Sequence, residues 1–196
     1  AFMDELAEEA GRDPLDFRLD LVQENPRDQH VLEKVAEMSG WRNRGDRALG
    51  LSFAGYSSSM AAGVAEVEVD ANRGEIQVTK FWAAIDAGFI LSPDNALNQI
   101  EGGIVFGISM ALSEKIDIEN GQVVQENFYD YEITRAFQVP EIEVYIADVD
   151  APPVGVGEVG TPMVPSAIAN AFYAAQGKRL RHMPFTPARV VRVLEM

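Results

Sequence analysis

The chain has 196 residues, 47% of them hydrophobic and 24% charged, which is an ordinary globular composition with material for one sizeable core or two small ones. Its 31 acidic and 16 basic residues leave a net charge of −15, a field that repels phosphate backbones and argues against nucleic-acid binding. There is no cysteine, so disulfides, thiolate zinc sites and iron–sulfur clusters are excluded within the chain, and no apolar run approaches the ~20 residues of a membrane helix.

Phe2, Met3, Leu6 and Ala10 recur at helical spacing, and Gly11 stands where such a helix would stop. The opening has no basic flank or continuous apolar region, so it reads as a helix already under way in a longer protein rather than as a signal peptide. Asp13-Pro14 suits an N-cap and first helical position, and Leu15, Leu19 and Val22 give a second helix its stripe. Pro26 is expected to break that helix. A third helix is expected from about Asp28 to Ser39, with Val31, Leu32, Val35 and Met38 on one side and Gly40 beyond its end.

Trp41 to Arg47 is basic and irregular, and it reads as a linker dividing a helical lead-in (1–47) from an α+β part (48–196). From there the period changes. Ala65, Val67 and Val69 alternate with Glu66, Glu68 and Asp70 as a half-buried strand, Asn72-Arg73-Gly74 turns, and Glu75 to Ile85 returns as its hairpin partner. Tyr56 to Gly63, small and polar, reads as a loop that could line a ligand. Ser92-Pro93-Asp94 starts a helix whose Gln99-Ile100-Glu101-Gly102-Gly103-Ile104-Val105-Phe106-Gly107 holds three glycines, each costing about 1 kcal/mol relative to alanine. Another backbone or a bulky ligand against that face would account for the cost.

Asn120-Gly121 marks a further hairpin, Asn127 to Tyr131 is aromatic and polar enough for a pocket wall or a core, and Ile142, Val144 and Ile146 alternate as a strand. Pro165 opens a helix with Val164, Ile168, Phe172 and Ala175 inward and Gly177 at its far end. The tail, through Val190, Val191, Val193 and Leu194, is expected to be a final strand. The fold class these elements define is α+β: antiparallel hairpins packed with two longer helices, preceded by a short helical lead-in.

The chemistry concentrates in Gly155-Val156-Gly157-Glu158-Val159-Gly160-Thr161-Pro162, where glycines surround one carboxylate just before a helix. In an apolar, partly dry cleft such a carboxylate becomes a competent general base. The G-x-G-x-x-G spacing of Gly155, Gly157 and Gly160 is set aside as a dinucleotide fingerprint, because it follows Pro152-Pro153 and the strands come as hairpins. His30 and His182 lack metal-ligand spacing and are expected to be ordinary residues, so no protein metal ligand is assigned.

The Gln99–Gly107 helix, followed by Asp150-Ala151-Pro152-Pro153-Val154-Gly155-Val156-Gly157-Glu158, resembles the C-terminal part of the large molybdenum-binding subunit of the xanthine dehydrogenase and aldehyde oxidase family. Thr161 to Ala171 and Gly177-Lys178-Arg179-Leu180-Arg181 resemble most closely its isoquinoline 1-oxidoreductase beta-subunit branch, and Met3 to Arg18 also fits. The resemblance implies a molybdenum pyranopterin cofactor, in bacterial members usually the cytosine dinucleotide form, held only in the full-length subunit. It implies Glu158 as the general base, and a cofactor-binding role for Gln99, with Gly102, Gly103 and Gly157 allowing close approach.

Implied too are a separate small iron–sulfur subunit as electron partner, the remainder of the large subunit, and an N-heteroaromatic or aldehyde substrate hydroxylated with water-derived oxygen. An isolated piece is expected to be inactive. Its place in a bacterial cell, cytoplasmic or periplasmic, stays open. The chain has no Met-Gly-Gln loop, which other segments of the family supply, and Val159 stands where members often have proline after the glutamate. Two other readings are a non-catalytic binding or scaffold domain that keeps the fold, and a hydrolase with a second carboxylate beside Glu158.

Overall fold

A computed structural model describes residues 1–196. Three helices come first: α1 (Phe2–Glu9), α2 (Pro14–Leu21) and α3 (Pro26–Ser39). The Asp13 side chain accepts from the Leu15 N–H and caps α2 as expected. Pro26 opens α3 rather than merely ending α2, because Asn25 accepts from the Arg27 and Asp28 N–H groups and a proline needs no donor at the first helical position. Gly40, at φ +66°, closes α3 in the left-handed conformation.

The sheet follows, built from β1 (Leu49–Tyr56), β2 (Ser59–Asp70) and β3 (Glu75–Asp86). β1 is a strand that the alternation rule misses, since its Leu49-Gly50-Leu51-Ser52 run is buried on both faces and shows no polar period. The segment read as a loop at Tyr56–Gly63 is a tight hairpin: Tyr56 pairs with Ser59, and only Ser57 and Ser58 form the turn. Between β2 and β3 the register slips at Glu66/Val67, where Thr79 is the extra residue and its hydroxyl donates to the Glu66 carbonyl at 3.3 Å.

Helix α4 (Pro93–Leu112) then crosses, a small hairpin pairs β4 (Ile118–Glu119) with β5 (Gln122–Val123), and β6 (Glu141–Ile146) returns to the sheet. The strand order is β1-β2-β3-β6, and β6 runs parallel to β3, so the sheet is mixed where hairpins alone were expected. α5 (Val164–Gln176) and α6 (Pro187–Leu194) complete the chain. The expected final strand is therefore a helix. Thr186 and Pro187 give it a start, and Val190, Val193 and Leu194 fall at helical spacing that the alternating valines obscure.

Two cores lie on the two faces of the sheet, because alternate side chains point to opposite sides. Ala61, Ala65, Phe81, Ala83 and Ile85 meet α4 and α5 through Ile100, Ile104, Ile108, Ile168 and Phe172. Ala62, Val64, Trp82 and Ala84 meet α2 and α3 through Leu15, Val31, Leu32 and Val35. Each large apolar side chain fully buried in these layers contributes on the order of 2–3 kcal/mol. Trp41, 2% exposed, belongs to the second core, with Arg44 stacked on its ring at 4.2 Å and Arg47 paired to Glu66 at 2.8 Å. The stretch read as a linker is thus tied down on both sides.

α5 approaches β1 at backbone distance. A Cβ on Gly50 would stand 2.1 Å from the Ala171 nitrogen and 2.2 Å from the Ala167 carbonyl oxygen. Asn170 donates to the Leu51 carbonyl at 2.9 Å, and the Ser52 and Ser166 hydroxyls meet at 2.6 Å. This close seating fixes the start of α5, and with it the glycine loop immediately before it.

Candidate catalytic and cofactor site

The chain reaches the glycine loop along the end of β3. The Ala147 N–H donates to the Ile85 carbonyl at 2.8 Å, Phe89 N–H to Ala151 at 2.9 Å and Val154 N–H to Ala87 at 2.9 Å. At Gly88, φ +69°, a side chain would meet the Pro152 carbonyl at 2.1 Å, so only glycine lets these two segments touch. Asp86 sits fully buried beside this contact, accepting from the Gly88 N–H at 3.0 Å and from the Arg27 guanidinium through both oxygens. That arginine fork, with the Gly88 donor, holds the Asp86 carboxyl below the usual carboxylate range.

The loop itself is gripped through its backbone. The Ser59 hydroxyl donates to the Gly155 carbonyl at 2.5 Å, and the Gln99 side-chain amide donates to the Gly157 carbonyl at 2.7 Å. Gly160 lies against α4, where an added Cβ would stand 2.7 Å from the Ile100 carbonyl, and the Thr161 hydroxyl donates to the Gly103 carbonyl at 3.1 Å. Val159 and Met163, 1% and 0% exposed, turn into the core, and Glu158 between loop and solvent turns outward. The apolar flanks noted in the sequence thus serve the core, and no dry cleft closes over Glu158 within this chain. The nearby Glu158 carboxylate raises the Tyr56 phenol above its ordinary range.

Of the residues expected to form the site, Gln99, Gly157 and Glu158 come together directly. Gly103 packs on Thr161 and Gly107 on Val164, so close helix packing accounts for both glycines. Gly102, one turn from Gln99, has nothing within 4 Å of an added Cβ, and the same holds for Gly155 and Gly157. Sequence reading took Tyr56–Gly63 as a loop that could line a ligand and Thr161 as part of the glycine loop, but gave Ser59 and Thr161 no role of their own. Ser59 is placed at the loop by the β1–β2 hairpin, visible only once β1 is recognised as a strand. A separate groove of about 700 Å³, lined by Glu68, Ile76, Phe137 and Phe185 among others, does not include Glu158.

The open glycines test whether a cofactor fits. Gly102, Gly155 and Gly157 leave a bare backbone surface with Gln99 and Glu158 at its rim, as a bulky planar group approaching closely would require. No group of three or more His, Cys, Asp or Glu side chains could hold a metal ion, so a metal here would come carried by such a group.

Comparison with known proteins shows the family. The molybdopterin cofactor-binding domain family matches residues 15–140. The chain is 38% identical over 193 residues to isoquinoline 1-oxidoreductase subunit beta of Brevundimonas diminuta, covering 96% of this chain and 25% of that protein. It is 35% identical to the membrane-bound aldehyde dehydrogenase [pyrroloquinoline-quinone] of Gluconacetobacter polyoxogenes, over 99% of this chain and 28% of that protein. Among solved structures, quinoline 2-oxidoreductase from Pseudomonas putida 86 superposes with a TM-score of 0.65 at 29% identity, over 70% of this chain and 19% of that one.

The chain therefore belongs to the molybdopterin cofactor-binding domain family, as part of a molybdenum-binding subunit of the xanthine dehydrogenase and aldehyde oxidase type. It spans about a quarter of the length of the relatives it matches. No helix is long and apolar enough to cross a membrane.

Proposed function

We propose that this chain supplies the general base, and one wall of the cofactor site, of a molybdenum-dependent hydroxylase. The observation that carries the reading is the clasp of Gln99 on the Gly157 carbonyl, which brings the two family-like motifs together beside Glu158. A bound molybdenum pyranopterin, of the cytosine dinucleotide form, would supply the redox chemistry. The open backbone at Gly102 and Gly157 would admit it, with Gly103 letting α4 sit close to the loop, and Gln99 keeps a second amide N–H to donate to it.

Glu158 would take the proton of a water-derived oxygen that adds to an electron-poor carbon of an N-heteroaromatic or an aldehyde. The hydrogen and two electrons of the C–H bond broken at that carbon would be taken up by the redox chemistry the bound cofactor supplies. A carboxylate suits this task because its exposed position in the chain becomes a sheltered one only when substrate and the rest of the subunit close over it.

The remainder of the large subunit and a small iron–sulfur subunit are the partners of this reading. Its support within the chain is the arm between α4 and β6, where Phe128, Tyr129 and Phe137 stand 97%, 85% and 85% exposed, far more than side chains of that kind retain in a finished assembly. The isolated chain is accordingly inactive and binds no stoichiometric molybdenum. Element analysis of the purified chain checks this, and one molybdenum per chain would overturn it. In the assembled enzyme, Glu158→Gln lowers turnover by about 10²–10⁴ with cofactor content unchanged, the scale of losing a general base. Turnover near normal would remove Glu158 from the mechanism.

A further inference from the structure

Glu158 rides on a segment that glycine leaves loose. Gly155 and Gly157 stand exposed on either side of Val156, with open space where a Cβ would be. Peptide planes beside glycine turn easily, so the path to the carboxylate is set by whatever holds these main-chain groups. The residue just past β3 takes the Val154 N–H, at the Ala87 carbonyl and 2.9 Å. The start of β2 takes the Gly155 carbonyl through Ser59, and α4 takes the Gly157 carbonyl through Gln99.

The two side-chain holds are unequal. Gln99 is exposed, so water competes for its amide. Ser59 is fully buried, has a single hydroxyl hydrogen, and gives it to the Gly155 carbonyl at 2.5 Å. Its mounting is rigid as well. Ser59 follows a two-residue turn in which Ser57 and Ser58 lie at φ +50° and +71°, the left-handed pair that a tight hairpin requires. The residue after it, Met60, is paired on both sides, with Gly55 of β1 and Asp86 of β3.

We propose that Ser59 is a positioning residue for Glu158. Its hydroxyl fixes the plane of the peptide between Gly155 and Val156, and with it the course of the chain up to the carboxylate. This rests on the reading of Glu158 as the general base. Ser59→Ala removes one oxygen and leaves an exposed residue's carbonyl for water to satisfy, so the fold survives while that carbonyl loses its fixed direction.

In the assembled enzyme, Ser59→Ala is expected to lower kcat about tenfold with KM within about twofold, because a displaced base loses rate rather than ground-state binding. The same substitution in the Glu158→Gln enzyme is expected to change the residual kcat by less than about twofold, since the group it positions is gone. Hydrogen exchange in these enzymes gives a readout apart from turnover. The Val154 amide, next to the released Gly155, is expected to exchange about threefold faster or more in Ser59→Ala. The Ala147 amide, which donates to Ile85 at 2.8 Å, is expected to keep its parental rate.

Unchanged exchange at Val154 would overturn the hold, and equally faster exchange at Val154 and Ala147 would overturn it in favour of general loosening. A parental kcat in Ser59→Ala, or an equal loss in both backgrounds, would overturn the positioning role and leave the base intact. Normal turnover in Glu158→Gln would overturn the base and the positioning role together, whatever the exchange shows.

Discussion

The two faces of the sheet solve their packing in opposite ways. On the α2–α3 face large side chains meet, with Trp41, Trp82, Leu15 and Leu32 in one layer and ion pairs around it: Arg44–Asp13 at 2.8 Å, Arg47–Glu66 at 2.8 Å and Arg27–Asp86. On the α4–α5 face backbones meet, at Gly50 with α5 and at Gly160 with Ile100 of α4, and the layer is rich in alanine and isoleucine. The first face is tolerant of small shifts because long side chains adjust. The second is not, since a backbone in contact with a backbone has no rotamer to change. The glycine loop is hung from the second face, where its path is set most sharply.

Breaking that contrast most severely is Gly50→Val, which forces α5 off β1 and is expected to cost about 4 kcal/mol or more, read as a fall in the urea midpoint of unfolding. The counterpart on the other face is Arg27→Ala. It leaves the Asp86 carboxylate buried without its cation, at a cost of about 3 kcal/mol, toward the lower end for such pairs because Arg27 itself is partly exposed.

The same pair gives a pH signature. Asp86 is held below the usual carboxylate range by Arg27, so its contribution is complete above about pH 4 and is lost as the pH falls through its depressed folded value. The stability gap between the parent chain and Arg27→Ala is therefore expected to narrow in acid, in unfolding curves recorded across that window. Last and smallest, Gly157→Ala should change stability by no more than about 0.5 kcal/mol, since open space surrounds the position. Its effect belongs to the assembled enzyme, where lowered molybdenum content would show that the cofactor approaches there.

Helices were legible in the sequence wherever a cap and a stripe coincided: Asp13-Pro14 before α2, Pro165 at the head of α5, Gly177 at its end. Strands were legible where one face is wet, as in β2 from Ala65 to Asp70. β1 escaped because both of its faces are covered, and α6 because Val191 and Val193 imitate alternation while Val190, Val193 and Leu194 pack on the core at helical spacing. For the candidate site, Glu158 and Gln99 stood out by their glycine surroundings. Which glycines are packed and which are open was not legible, because Gly103 and Gly102 look alike until Thr161 is seen against only one of them. Ser59 could not be found from its neighbours in the chain, since the Gly155 carbonyl it holds lies about a hundred residues away.

The loop around Glu158 is secured almost wholly by main-chain oxygens: Ser59 at Gly155, Gln99 at Gly157, and Gly160 and Thr161 against α4. A carbonyl is the same whatever residue bears it. Val154 and Val156 could accordingly be exchanged over generations without moving the carboxylate, and Val159 can occupy its place so long as something apolar of that size fills the core. The burden of heredity then falls on Ser59 and Gln99, distant in the chain, together with Gly160 and Thr161 at the loop's end. Drift at Val154 or Val156 would leave the carboxylate where it is, whereas a single change at Ser59, Gln99, Gly160 or Thr161 would loosen the loop that bears it.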